Sequence, residues 1–193
     1  MRLGVMCSGN GTNFQNIVTN PICNTNEVVL MIHNTKECGA VKRAAKYGIP
    51  HVRIAHKNEH DMIMLMEVYK VDLIILAGYM RVIKHPDRFP APMINIHPSL
   101  LPKYKGLHAI EQALESGDDK TGVTVHYVND ELDGGEIIMQ QEVQILPDDN
   151  INTLTKAIQR IEYAILPAAI QQIQNDQFRT VVQDLQQSKT YST

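Results

Sequence analysis

Asn95-Ile96-His97-Pro98-Ser99-Leu100-Leu101-Pro102 sets an amide and an imidazole two residues apart where an apolar run ends. Alternate residues of a strand share a face, so Asn95 and His97 point the same way. An amide N–H stabilises a carbonyl oxygen that gains charge. An imidazole moves a proton at neutral pH. The pair could also merely cap a strand end, but the carboxyl end of a strand favours a site.

Ser8-Gly9-Asn10-Gly11-Thr12-Asn13 follows a strand-like run and opens a helix-like one. Glycines let a backbone approach a ligand, and free N–H groups at a helix start attract anions. The dinucleotide pattern fails, because Phe14 stands where its third glycine belongs and no ribose-binding acid follows the second strand at His33-Asn34. A single phosphate suits the loop better than NAD; a tight turn with no ligand is the other reading. Asp133 lies in the turn-rich Asp130-Glu131-Leu132-Asp133-Gly134-Gly135. Beside His97 it would raise the histidine's pKa and orient the ring; alone it is a solvated acidic turn.

Other polar groups carry less. His56 and His60 have metal-compatible spacing but lack the Glu of an HExxH helix. His33, His51, His85 and His126 have no partner in the sequence and read as structural. Met62, Met64 and Met66 read as core filler. Ser8 is not in a GxSxG setting, so a hydrolase nucleophile is not indicated.

The elements that must position these groups follow from periodicity. Short apolar runs lie near 3–7, 28–32, 50–54, 73–77, 93–96, 123–128 and 137–145. Helical patterns alternate with the early ones. One starts with Thr12 as its N-cap, one covers 39–47, and one covers 60–70 with Met62, Leu65, Met66 and Tyr69 on one face. Strands alternating with helices imply βαβ units in a parallel sheet. After residue 115 the pattern changes to two neighbouring strands around the Asn129–Gly135 turn. A long helix then opens at Asn152-Thr153-Leu154 and runs to about 174. Its stripe is Leu154, Ile158, Ile161, Ile165 and Ile170, with a break or kink expected at Pro167. The remaining tail is Gln-rich and polar.

The chain's 193 residues fit one domain, over 1–193 with the polar tail at about 175–193. A net charge of −3, no Trp and three Phe argue against a nucleic-acid surface. Cys7, Cys23 and Cys38 are odd in number and form no CxxC pair, as suits reduced thiols in the cytoplasm. No leader is expected, since a signal peptide needs about 7–15 consecutive apolar residues. The run Leu73–Ala77 is too short to span a membrane.

Asn95 through Tyr104, followed by Gly106-Leu107-His108, resembles the signature of the 10-formyltetrahydrofolate-dependent formyltransferase family. Ser8–Asn13, Ala77-Gly78-Tyr79-Met80-Arg81 and Val125-His126-Tyr127-Val128 leading into Asp130–Gly135 resemble it in the same order, over about residues 1–173. The resemblance implies an α/β fold: a Rossmann-like, mostly parallel sheet with helices on both faces, one antiparallel strand region towards the C-terminal half, and a long C-terminal helix. It implies formyl transfer from 10-formyltetrahydrofolate, as co-substrate, to the amine of glycinamide ribonucleotide in purine synthesis, with no metal. Asn95, His97 and Asp133 match the family's catalytic positions: Asn95 and protonated His97 hold the oxyanion while Asp133 raises the His97 pKa and helps move the amine proton. Gly11, Thr12 and Asn13 match its phosphate loop, with Gln159 a further contact and Glu162 the contact to the amine. Met80, Arg81, Val82 and Ile83 match the folate segment. The loop of Val128, Asn129, Asp130 and Glu131 closes on the pterin, and Lys57 matches a basic folate contact. The resemblance leaves a homodimer open and implies neither nucleic-acid nor membrane partners. Two related activities would carry further domains: a formyltetrahydrofolate deformylase, with water as nucleophile, at the N-terminus, and a transfer-RNA formyltransferase at the C-terminus. A non-catalytic folate or nucleotide module would have no reason to hold the Asn–His–Asp set.

Overall fold

The computed structural model describes residues 1–190. Its strands are β1 (Arg2–Cys7), β2 (Glu27–His33), β3 (His51–Arg53), β4 (Leu73–Leu76), β5 (Met93–His97), β6 (Lys120–Tyr127) and β7 (Ile137–Gln144). Its helices are α1 (Thr12–Thr19), α2 (Gly39–Lys46), α3 (Glu59–Val68), α4 (Ala109–Glu115) and α5 (Ile151–Thr190). The sheet order is β3-β2-β1-β4-β5-β6-β7. β1 to β5 pair in parallel, whereas β5–β6 and β6–β7 are antiparallel. This is the parallel sheet that the alternation of strands and helices predicts, in the Rossmann-like, mostly parallel form that the resemblance implies.

Apolar residues on both sides of the strands put core on both sheet faces. On one face Leu3, Val5, Ile94, Ile96, Val123 and Val125 pack with Phe14 and Ile17 of α1, Ala40 and Ala44 of α2, and Leu154, Ile158 and Ile170 of α5. On the other, Met6, Leu30, Ile32, Ile74 and Leu76 pack with Met62 and Met66 of α3 and with Tyr79, Ile83 and Phe89. The crossover between faces comes at α3, where the chain passes from β3 to β4 across the β1–β4 junction. The carboxyl ends of β1 and β4 therefore meet where the connections switch faces, the place in such sheets where ligands bind. Among the described residues no helix is long and apolar enough to cross a membrane.

Several local expectations need correction. Gly11, not Thr12, is the N-cap of α1; its φ of 69° is left-handed, and a Cβ there would lie 2.5 Å from the Cβ of Ala40. Asn150 caps α5 through its Oδ1, which accepts from the backbone N–H of Asn152 and Thr153 at 2.9 and 3.3 Å. The helix continues through Pro167, which is itself buried beside Leu166, Ala169 and Ile170, so packing outweighs the lost backbone bond. It also runs on from 175 to 190, since Gln, Lys and Arg propagate an existing helix readily; residues 191–193 lie outside the described residues. Met64 is 47% exposed, on the outer side of α3, while Met62 and Met66 are core. α4 escapes the periodicity reading: His108 caps it with a left-handed φ of 62° and no side-chain bond, and its fully inward positions are two small alanines, Ala109 and Ala113.

Candidate active site

β5 delivers Asn95 and His97 to the sheet face opposite its neighbours Ile94 and Ile96, as strand alternation requires. The antiparallel register sets Asn95 against His126 and His97 against Thr124, so four polar side chains share this patch. Thr124 anchors the loop that follows β5: its hydroxyl donates to the Ser99 carbonyl at 2.7 Å and accepts from Leu101 N–H at 3.2 Å.

Asp133 enters from the loop after β6. That loop leaves as an extension of the β5–β6 ladder, with Val128 N–H donating to the Met93 carbonyl at 2.8 Å. It folds back with Asp133 in the left-handed region at φ 47°. Gly135 permits the return, because a Cβ there would run into the Tyr127 carbonyl. Asp133 Oδ2 then lies 3.5 Å from His97 Nδ1, with side-chain exposures of 8% and 6%. The same oxygen accepts the Gly106 N–H at 2.7 Å. Burial opposes ionisation of Asp133. The imidazoles of His126 and His97 and the Gly106 N–H outweigh it and hold the carboxyl down at about 2. The group is a carboxylate at neutral pH.

His97 is fixed from both sides. Its Nε2 is 2.8 Å from the Tyr104 carbonyl, which only accepts, so Nε2 carries a proton and Nδ1 faces Asp133. Tyr104 sits at φ 56°, and its phenol is held at Ser116 Oγ (2.7 Å) and Asp118 Oδ2 (2.5 Å). Asn95 Nδ2 is 3.4 Å from Asp133 Oδ1 and 3.3 Å from His126 Nε2. The three residues singled out from widely separated segments therefore converge. His126, read as structural, stands with them. Its alternation with Thr124 between Val123 and Val125 was the available signal, but the cross-strand register that brings it to Asn95 is not written in β6 alone. Tyr104 and Gly106 were likewise visible only as parts of a motif.

The glycine loop lies at the carboxyl end of β1. Gln15 N–H to the Gly11 carbonyl is the first bond of α1, so the amides of Thr12, Asn13 and Phe14 precede the intrahelical ladder. Asn13 Nδ2 donates to Glu162 Oε2 of α5 at 3.0 Å, and Asn13 Oδ1 is buried without a protein partner. Burial pushes the Glu162 carboxyl up, against the hydrogen bond from Asn13. Gln159, one helical turn earlier on α5, is half-buried and makes no hydrogen bond among the described residues.

Segment 78–84 lies between these two groups. Met80 N–H donates to Ser8 Oγ at 2.8 Å, and Ser8 N–H donates to the Gly78 carbonyl at 3.0 Å, fastening it to the glycine loop. Met80 and Val82 are 55% and 60% exposed and Arg81 is exposed, whereas Ile83 is turned into the core. Lys57 is exposed before α3 and makes no hydrogen bond or ion pair among the described residues; Glu59, two residues on, accepts the Lys84 N–H at 2.6 Å. In the 128–133 loop, Asn129 Oδ1 accepts the Glu131 N–H at 3.0 Å, Asp130 is exposed, and Glu131 pairs with Lys105 at 2.6 Å. Val128 is half-buried.

The family model described as Formyl transferase matches residues 1–170. The phosphoribosylglycinamide formyltransferase of Haemophilus influenzae is 37% identical over 182 residues, covering 88% of this chain and 85% of that protein. The trifunctional purine biosynthetic protein adenosine-3 of Drosophila melanogaster is 38% identical over 187 residues, 90% of this chain but only 14% of that protein's length. The crystal structure of phosphoribosylglycinamide formyltransferase from Anaplasma phagocytophilum superposes with a TM-score of 0.87 at 35% identity, covering 91% of this chain and 88% of that one.

Proposed function

The chain belongs to the formyl transferase family, and we propose that it moves the formyl group of 10-formyltetrahydrofolate to the amine of glycinamide ribonucleotide, a step of purine synthesis. The convergence of Asn95, His97 and Asp133 from β5 and the loop after β6 carries this reading.

The neutral amine of the ribonucleotide attacks the formyl carbon, and the carbonyl oxygen gains charge. An Asn95 N–H and the His97 ring stabilise that oxygen. The C–N10 bond then breaks. The amine proton passes to the departing folate nitrogen with Asp133 and His97 as the relay, giving tetrahydrofolate and the formylated ribonucleotide. The formyl group arrives activated on the folate, so no metal is needed.

The ribonucleotide phosphate sits on the open amides of Gly11, Thr12 and Asn13. Gln159 is a further contact, and Glu162 receives the glycinamide amine. Two observations support this end of the site: the unpartnered Asn13 Oδ1, and a half-buried Glu162 carboxyl that an amino group would relieve. The folate lies along Met80, Arg81 and Val82, with Ile83 as their backing. Val128, Asn129, Asp130 and Glu131 close on the pterin, and Lys57 meets the glutamate end. A single domain over 1–193, suggested by length, residence in the cytoplasm, suggested by the unpaired cysteines, and assembly as a homodimer, which the resemblance leaves open, belong to the same reading; light scattering tests the last.

Purified protein is incubated with 10-formyltetrahydrofolate, with and without glycinamide ribonucleotide, and loss of the formylated folate is followed. Loss that requires the ribonucleotide supports transfer. Equal loss without it makes water the acceptor and the chain a deformylase.

A further inference from the structure

We propose that His126 is a positioning residue for the transfer: as the neutral Nδ1–H tautomer it accepts one N–H of Asn95 and so fixes the carboxamide that faces the reacting carbonyl. The proposal rests on the formyl-transfer reading of this site.

His126 is 2% exposed on β6, directly opposite Asn95 in the antiparallel ladder. Its Nδ1 is 2.8 Å from the Tyr127 carbonyl. A carbonyl only accepts, so Nδ1 holds the proton and Nε2 of a neutral ring offers a lone pair. Asn95 Nδ2 lies 3.3 Å from that lone pair and 3.4 Å from Asp133 Oδ1. An amide nitrogen has two protons and no lone pair, so these acceptors use one N–H each. Turning the carboxamide over would set its oxygen against both a carboxylate and an imidazole lone pair, and the arrangement forbids it.

A protonated His126 fits worse. It would pair with Asp133 Oδ1, 3.6 Å from Nε2, but its Nε2 proton would face the nearer Asn95 N–H at 3.3 Å and cost that amide its partner. His97 does not share this task, being held by the Tyr104 carbonyl and facing the other oxygen of Asp133. The two histidines thus divide the site: His97 handles the proton, and His126 sets the direction of the donor. During reaction the developing oxyanion takes the place of Asp133 Oδ1 as acceptor of the second Asn95 N–H, while the N–H held by His126 keeps its partner.

The test is a double-mutant cycle on wild type, His126→Ala, Asn95→Ala and the double variant, with His126→Gln as the conservative replacement. His126→Ala is expected to lower kcat about 10- to 100-fold, the usual cost of losing a supporting partner, with both KM values within about twofold. Adding it to Asn95→Ala is expected to cost nothing further, because it acts only through Asn95. His126→Gln, whose carbonyl can accept the same N–H, is expected to recover most of the rate. Imidazole 15N NMR of the wild type reads the tautomer independently of activity and of whether any variant folds. Multiplicative losses in the cycle, or a protonated or Nε2–H ring at neutral pH, overturn the proposal. A wild type that moves no formyl group, with the tautomer as described, overturns the formyl-transfer reading instead.

Discussion

Asp133 Oδ2 lies 3.5 Å from Nδ1 of His97, and the two side chains are only 8% and 6% exposed. A carboxylate and an imidazole this close and this sheltered from water interact more strongly than a surface pair. The Gly106 N–H on the same oxygen holds the carboxylate in place, and the Tyr104 carbonyl holds the far side of the imidazole. The relationship is therefore built from the end of β5 and two loops, the one after β5 and the one after β6, and is not a chance contact.

Asp133→Asn removes the charge with little change of shape. Its kcat is expected to fall by roughly 10²–10⁴, the range for losing acid–base help, with an altered pH–rate profile. Stability adds a second readout. The folded carboxyl sits at about 2, below its ordinary 3.8. A depressed carboxyl stabilises the fold above its unfolded pKa, and that contribution fades as the pH falls from about 4 towards 2. Urea unfolding at pH 7 and pH 3 is expected to show the gap between parent and variant narrowing with acid, by on the order of 2 kcal/mol at most. A gap that does not change with pH contradicts the low carboxyl pKa.

Gly135→Ala tests the loop that delivers Asp133. The added Cβ meets the Tyr127 carbonyl, so the return of the chain has to shift. A loss of about 1–3 kcal/mol is expected from such backbone strain, with a fall in kcat at temperatures where the protein is still folded. Circular dichroism melts and steady-state kinetics measure both. Parental values in each would mean that the turn tolerates a side chain.

Asn13→Ala separates the two ends of the cleft. It removes the donor to Glu162 and the unpartnered acceptor at the glycine loop. The KM for the ribonucleotide is expected to rise about tenfold or more, roughly the 1.4 kcal/mol per decade of a lost polar contact, with the KM for folate little changed. A selective effect on folate would reverse the placement of the two substrates.

The early part of the fold was readable because its helices and strands announce themselves by period: Met62, Leu65 and Met66 mark α3, the unbroken apolar run marks β4, and apolar residues alternating with Asn95 and His97 mark β5. The site was readable where spacing within one strand settles direction, as for Asn95 and His97. It was not readable where partners meet across strands or loops. His126 becomes the neighbour of Asn95 only through the β5–β6 register, and Glu131 finds Lys105 only once two loops close. α4 and the cap of α1 were hidden for another reason: both begin at left-handed residues, His108 and Gly11, and neither start carries a capping side chain.

Asn95→Ala removes the donor meant for the oxyanion. kcat is expected to fall about 10²–10³ with modest changes in KM, because the interaction strengthens only as charge develops. Turnover within about threefold of the parent would make Asn95 a strand-end cap.

The fate of the formyl carbon tests the central claim most directly. The protein is given 10-formyltetrahydrofolate labelled with 13C in the formyl group, together with glycinamide ribonucleotide, and the products are followed by NMR. The label is expected in the new amide of the ribonucleotide, one for each tetrahydrofolate released, with no free formate. Label recovered as formate, at the same rate with or without the ribonucleotide, would contradict formyl transfer.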